Sequence, residues 1–97
     1  MEYKMKCKVW LYPGMAGWHF ITLPKKYSKE IKDNMDIMKR GWGSVKVIAK
    51  VGKTAWGTSI FPDKKSDSYL LPIKLEVRKK ENIKFDDFVN ISIEILD

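Results

Sequence analysis

A chain of 97 residues, 44% of them hydrophobic, has the size and material for one core without staples. Its one cysteine, Cys7, excludes an intrachain disulfide, and no apolar run reaches signal-peptide or membrane-spanning length, so a cytoplasmic protein with no membrane attachment is expected. The net charge of +7 is uneven: residues 1–53 hold 12 Lys/Arg against 4 Asp/Glu, residues 54–97 hold 7 against 8, and the positive field therefore belongs to the first half.

Tyr3–Tyr12 alternates with period two, which predicts a half-buried strand. Tyr3, Met5, Cys7, Val9 and Leu11 are expected to face inward, and Lys4, Lys6, Lys8, Trp10 and Tyr12 outward. Pro13-Gly14 and Gly17 break the run, and Trp18–Leu23 returns as the second arm of an antiparallel hairpin. Pro24 stops that strand because it cannot donate a ladder hydrogen bond. Ser28 is placed to cap a helix at about 28–39, with Ile31, Met35 and Met38 on its inner face and Gly41 just past its end. Val45, Val47, Ala49 and Val51 mark a third strand. Gly52-Lys53, glycine first, suits a two-residue type II′ turn into a fourth strand, Thr54–Phe61, which Pro62 is expected to end. The polar stretch 63–68 predicts a mobile surface loop. Tyr69–Pro72 is a short strand, followed by a helix at about 73–81. Ile73 and Val77 face inward there, and Arg78, Lys79 and Lys80 sit in the last turn, where cations suit the dipole. Val89, Ile91, Ile93 and Ile95 alternate with polar residues in a last strand, Phe88–Leu96. Five to six antiparallel strands with two short helices predict a mainly β single domain over residues 1–97, a small closed or partly split barrel. Closure would also remove apolar edges.

Two segments echo each other. His19–Lys26 and Ser68–Lys74 both run strand, Leu-Pro, basic residue, helix, which suggests a pseudo-twofold plan if the echo is more than coincidence.

Four ordered motifs carry a resemblance over about residues 3–95: Gly17-Trp18-His19-Phe20-Ile21-x-Leu23-Pro24, Arg40-Gly41-Trp42-Gly43-Ser44-Val45-x-Val47, Trp56-Gly57-Thr58-Ser59-Ile60-Phe61-Pro62, and Tyr69-x-Leu71-Pro72-Ile73-Lys74-x-x-Val77-Arg78-Lys79. With them the chain resembles the bacterial domain-of-unknown-function family 1905. The resemblance implies a double-split, partly open antiparallel β-barrel, similar to the dimeric barrels of transition-state regulators and antitoxins but built from one chain. It implies no reaction, cofactor or catalytic residue.

Catalytic templates find little here. His19 is the only histidine, so a nucleophilic triad would have to be built on it. One Cys and one His fall short of a zinc set. Asp86 and Asp87, adjacent on a strand start, point apart. Neither a phosphate loop nor a dinucleotide fingerprint occurs. No catalytic residue, metal ligand or cofactor is expected, although an unusual site can escape these templates.

Two constellations remain. Trp18, Arg40, Trp42 and Trp56 could form an aromatic platform with a cation beside it, able to stack a planar ligand, Arg40 being the polar anchor. The alternative is that the tryptophans fill barrel ends and Arg40 caps carbonyls. Lys4, Lys6, Lys8, Lys46 and Lys50 could track the phosphates of a nucleic acid; otherwise they are a solvated face that blunts an edge strand. The expectation is a non-catalytic binding or accessory module, monomeric or weakly dimeric, with a small-molecule or polyanionic ligand. A nucleic-acid-binding regulator is the alternative, and a small enzyme the third reading.

Overall fold

The computed structural model of the chain describes residues 1–14, 17–37 and 43–96. In chain order the elements are β1 (Glu2–Lys8), β2 (Trp10–Leu11), β3 (His19–Thr22), α1 (Lys25–Ile37), β4 (Val45–Val51), β5 (Thr54–Asp63), β6 (Ser68–Pro72), α2 (Leu75–Glu81) and β7 (Phe88–Ile95). Strict alternation gives β1 and β4 one buried face each, and Val89, Ile91 and Ile93 give β7 the same. These faces meet in one buried cluster with Ile21, Leu23, Ile60, Leu71 and Val77.

The strands run in the order β1-β7-β4-β5-β6-β3-β2, and every neighbouring pair is antiparallel. Two strands change partner along their length. β5 pairs with β4 through Ile60 and with β6 from Phe61 onward. The first arm does the same at Val9, which is fully buried: β1 pairs with β7 and β2 with β3. These two bends curl the sheet into a half-barrel, and α1 and α2 pack across its gaps. Tyr3 of β1 donates its hydroxyl to Glu30 Oε1 of α1 at 3.1 Å, and Thr54 of β5 donates to Glu81 Oε2 of α2 at 2.5 Å.

The two halves of the sheet also form an internal structural repeat. Leu23 N–H donates to the Tyr69 carbonyl and Ile73 N–H to the His19 carbonyl, each at 2.9 Å, across the β3–β6 ladder. A shift of 50 residues exchanges the two bonds. The same shift carries Ser28 N–H to Pro24 O onto Arg78 N–H to Lys74 O, and the start of α1 at Lys25 onto the start of α2 at Leu75. With one residue more on the outer strand, Trp10↔Phe20 and Leu11↔His19 map onto Phe61↔Leu70 and Pro62↔Tyr69. Each half is therefore a bent outer arm, a return strand, a helix and a final strand.

Several expectations need correction. The sequence echo aligns Leu23-Pro24 with Leu71-Pro72, a shift of 48, but the structure aligns Leu23 with Ile73. Pro24 opens a helix while Pro72 still lies in the ladder opposite Phe20, so the two prolines are not equivalent. Leu11 is exposed rather than inward, because the bend at Val9 reverses which face meets the core. Ser28 caps nothing: α1 starts three residues earlier, and the buried Ser28 hydroxyl accepts the Tyr69 N–H at 3.0 Å. Met38 lies outside the described residues, as does the end of the helix expected at 39. Pro62 does not end β5, which runs to Asp63. Tyr69, its partner, turns both its N–H and its carbonyl toward Ser28 and Leu23, so the pair makes no ladder bonds and a missing N–H costs nothing there. At Gly52 the turn reading holds, with φ of 58 at the first position. The polar loop is a turn over 64–67, where Asp63 accepts both the N–H and the hydroxyl of Ser66. Among the described residues, no helix is long and apolar enough to cross a membrane.

Candidate functional site

The second half of the repeat opens a cleft. The chain entering β3, the middle of β5 and the first turn of α2 enclose about 320 Å³. Trp56 points from β5 into the core and forms one wall with little exposure; Trp18 forms another and is 50% exposed. An indole left half in water beside an apolar hollow has surface still to cover. Trp18 also packs on Phe20, with ring centroids 5.9 Å apart, and Phe20 in turn holds Trp10 and Tyr12 at 5.4 and 5.6 Å. That aromatic knot, with Trp10 Nε1 donating to Thr22 Oγ1 at 3.0 Å, fixes the hairpin that presents Trp18.

Arg78 sets the electrostatics of the cleft. Its Nε donates to the Ile73 carbonyl and its Nη2 to the Gly17 carbonyl, both at 3.1 Å. Two carbonyls orient the fork while leaving donors of its five N–H bonds for a ligand. Among the described residues no carboxylate pairs with Arg78, unlike Lys8 with Asp86 and Lys80 with Glu76. The Gly17 carbonyl also accepts His19 Nδ1–H at 2.9 Å. Gly17 has a φ of 82, a conformation glycine adopts without strain, and this aims its carbonyl at both side chains. Lys74 adds a second cation at the rim.

Of the four residues expected to form an aromatic platform, Trp18 and Trp56 share this cleft; Arg40 and Trp42 lie outside the described residues. Trp56 lines the cleft, is 8% exposed and belongs to the core cluster as well. Sequence reasoning placed Arg78 in the fourth motif and at the helix dipole but left it out of the candidate site. A signal was present: only two of the 19 basic residues are arginine, and Arg78 is one of them.

The basic face divides. Lys4 and Lys50 both sit opposite Ser92, from strands on either side of β7, and Lys6 sits opposite Asn90. Lys8 instead meets Asp86 at 3.6 Å. Lys46 is separated from Lys50 by the row in which Ile48 meets Glu94, which also carries Glu2. Three of the five lysines thus converge, next to a row of acids. Cys7 is buried, and burial pushes its thiol pKa up, the opposite of nucleophile activation. Among the described residues no three His, Cys, Asp or Glu side chains gather as metal ligands would.

Fold and cleft together define a mainly β, two-repeat half-barrel with a cation-bearing aromatic hollow at one of its two helix-covered gaps. The chain belongs to the family described as a domain of unknown function (DUF1905), whose model matches residues 6–93. A search of curated proteins found no match.

Proposed function

We propose that this chain is a non-catalytic binding module whose site is the Trp18–Trp56–Arg78 cleft. The ligand is a small molecule with a flat or apolar body, laid against Trp18, and an anionic group held by the Arg78 fork. The observation that carries this reading is a half-exposed indole beside an oriented guanidinium that no described carboxylate neutralises. Aromatic stacking and a charge-assisted fork supply affinity and orientation without any reacting group. Phenylacetate is a suitable probe. It should quench or shift tryptophan fluorescence in the native chain, and Arg78→Gln should weaken binding at least tenfold while leaving the fold intact. Equal affinity in the variant would remove Arg78 from the site and the reading with it.

A second reading rests on the ladder register that brings Lys4, Lys6 and Lys50 together on the outer face of the sheet. A polyanion held there would lose affinity steeply between about 50 and 200 mM salt. Absence of duplex DNA binding at low salt, or equal binding by Lys4→Gln/Lys50→Gln, would end it.

A further inference from the structure

We infer that the cleft continues past Trp18 as one trough, and that its ligand is an elongated apolar chain with a single anionic end group. This rests on the reading above and specifies its ligand. A second hollow, of about 550 Å³, lies on the far side of Trp18 and shares Trp18, Gly57, Thr58 and Pro72 with the first. Beyond them it runs between Phe61 and Leu96, both more than 40% exposed. The charged side chains along both hollows, Arg78, Lys74 and Lys46, are all cations. The lining is mostly apolar, and the charges it carries are of one sign, which favours an anionic ligand.

Gly57 is where the two hollows join, and the backbone gives it no reason to be glycine. Its φ lies outside the left-handed region, and a Cβ added there would meet only Ile48 Cδ1, at 3.8 Å, which is ordinary contact. In the other half of the repeat the equivalent place in β1 is filled by Lys6, so this extended geometry accepts a long side chain. A mid-strand glycine outside the left-handed region is a place where a ligand can approach the backbone closely. Here the missing side chain keeps the floor of the trough open between the Arg78 end and the Phe61 end. From Gly57 to Phe61 the strand advances about 13 Å, which sets the reach of the apolar chain beyond its head group.

Decanoate, long enough for that span, is the test ligand, with butyrate and phenylacetate as short probes, all below the concentration at which they self-associate. Tryptophan fluorescence and amide NMR shifts report binding. Decanoate should bind at least tenfold tighter than butyrate and shift the amides of Phe61 and Leu96. Gly57→Leu, which fills the floor where the two hollows join, should lower decanoate affinity at least tenfold. Phe61→Ser, at a half-exposed position that lines only the second hollow, should weaken decanoate and leave phenylacetate within twofold. If phenylacetate binds through Arg78 but decanoate gains nothing over butyrate, or ignores both substitutions, the trough is wrong and the cleft stands. If none of the three binds, both fall.

Discussion

The two halves of the repeat use one backbone plan for opposite ends. At a shift of 50 residues, Ser28 corresponds to Arg78, Ser68 to Trp18, Tyr69 to His19 and Asp67 to Gly17. Asp67 and Gly17 even share a positive φ, 54 and 82. In the first half the small Ser28 and Ser68 are buried, Ser28 Oγ ties α1 to β6, and the hollow outside is lined by Lys25, Lys29, Asp33 and Asp67, a mixed-charge polar surface. In the second half a large side chain replaces each serine, and neither is buried. Trp18 is left half in water and Arg78 reaches across to the Gly17 carbonyl. The gap in the half-barrel is a property of the fold, whereas its chemistry is set by a few side chains at equivalent positions. One gap is sealed with serine and the other is furnished with an aromatic and a cation.

The sharpest way to break this comparison is to attack what the halves share. Ile21 and Leu71 face each other at the centre of the β3–β6 ladder, and both are fully buried. Leu71→Ala should cost about 2–5 kcal/mol in a single cooperative denaturation. Two resolved transitions would show that the halves fold independently. Next in size is the sealed gap itself. Ser28→Ala strands the buried Tyr69 N–H and should cost about 1–3 kcal/mol by urea denaturation. Arg78→Gln, its counterpart, should stay within about 1 kcal/mol, because water can serve the two carbonyls it leaves. Equal losses at both positions would erase the distinction between seal and site.

Much of this scaffold is legible in the sequence, because β1, β4 and β7 each bury one face and their alternation survives without interruption. What local pattern could not reveal is where a strand changes partner. The run Tyr3–Tyr12 alternates without a break, yet the chain bends at Val9 and Leu11 ends in water. Pro62 looks like a terminator because the identity of its neighbour's hydrogen-bond partners, Ser28 and Leu23, is tertiary information. The repeat was half visible: its two proline signals suggested it, but they sit at different structural positions and give the wrong shift. In the site, Trp18 and Trp56 could be picked from sequence as a pair. Arg78 could not be joined to them, since only the topology brings α2 beside the chain entering β3.

A smaller effect separates the two hydroxyl–glutamate latches. Burial, and then the Glu30 carboxylate beside it, push the Tyr3 hydroxyl up to about 12. The folded state therefore holds this proton where an unfolded tyrosine, near pH 10, has lost it. Stability from this group is fully present below pH 10 and falls as pH rises from 10 to about 12. Tyr3→Phe should flatten that part of the stability profile relative to the native chain. The other latch uses Thr54, which does not titrate there, and Thr54→Val should leave the alkaline slope unchanged. A native-like slope in Tyr3→Phe would assign the alkaline loss to the lysines instead.

The smallest change is expected at Gly57, and its smallness is what makes it informative. Gly57→Ala should alter stability by no more than about 0.5 kcal/mol, or stabilise slightly, because alanine fits this backbone and restricts the unfolded chain. Gly52 provides the contrast on the same denaturant curve. Its φ is positive and an added Cβ would collide with the Glu81 carboxylate, so Gly52→Ala should cost more than about 1 kcal/mol. A glycine demanded by the fold is thereby told apart from one the fold merely tolerates. Should Gly57→Ala prove as damaging as Gly52→Ala, the backbone itself requires glycine there. The open floor between the two hollows would then be a by-product of the strand, with no bearing on what the trough holds.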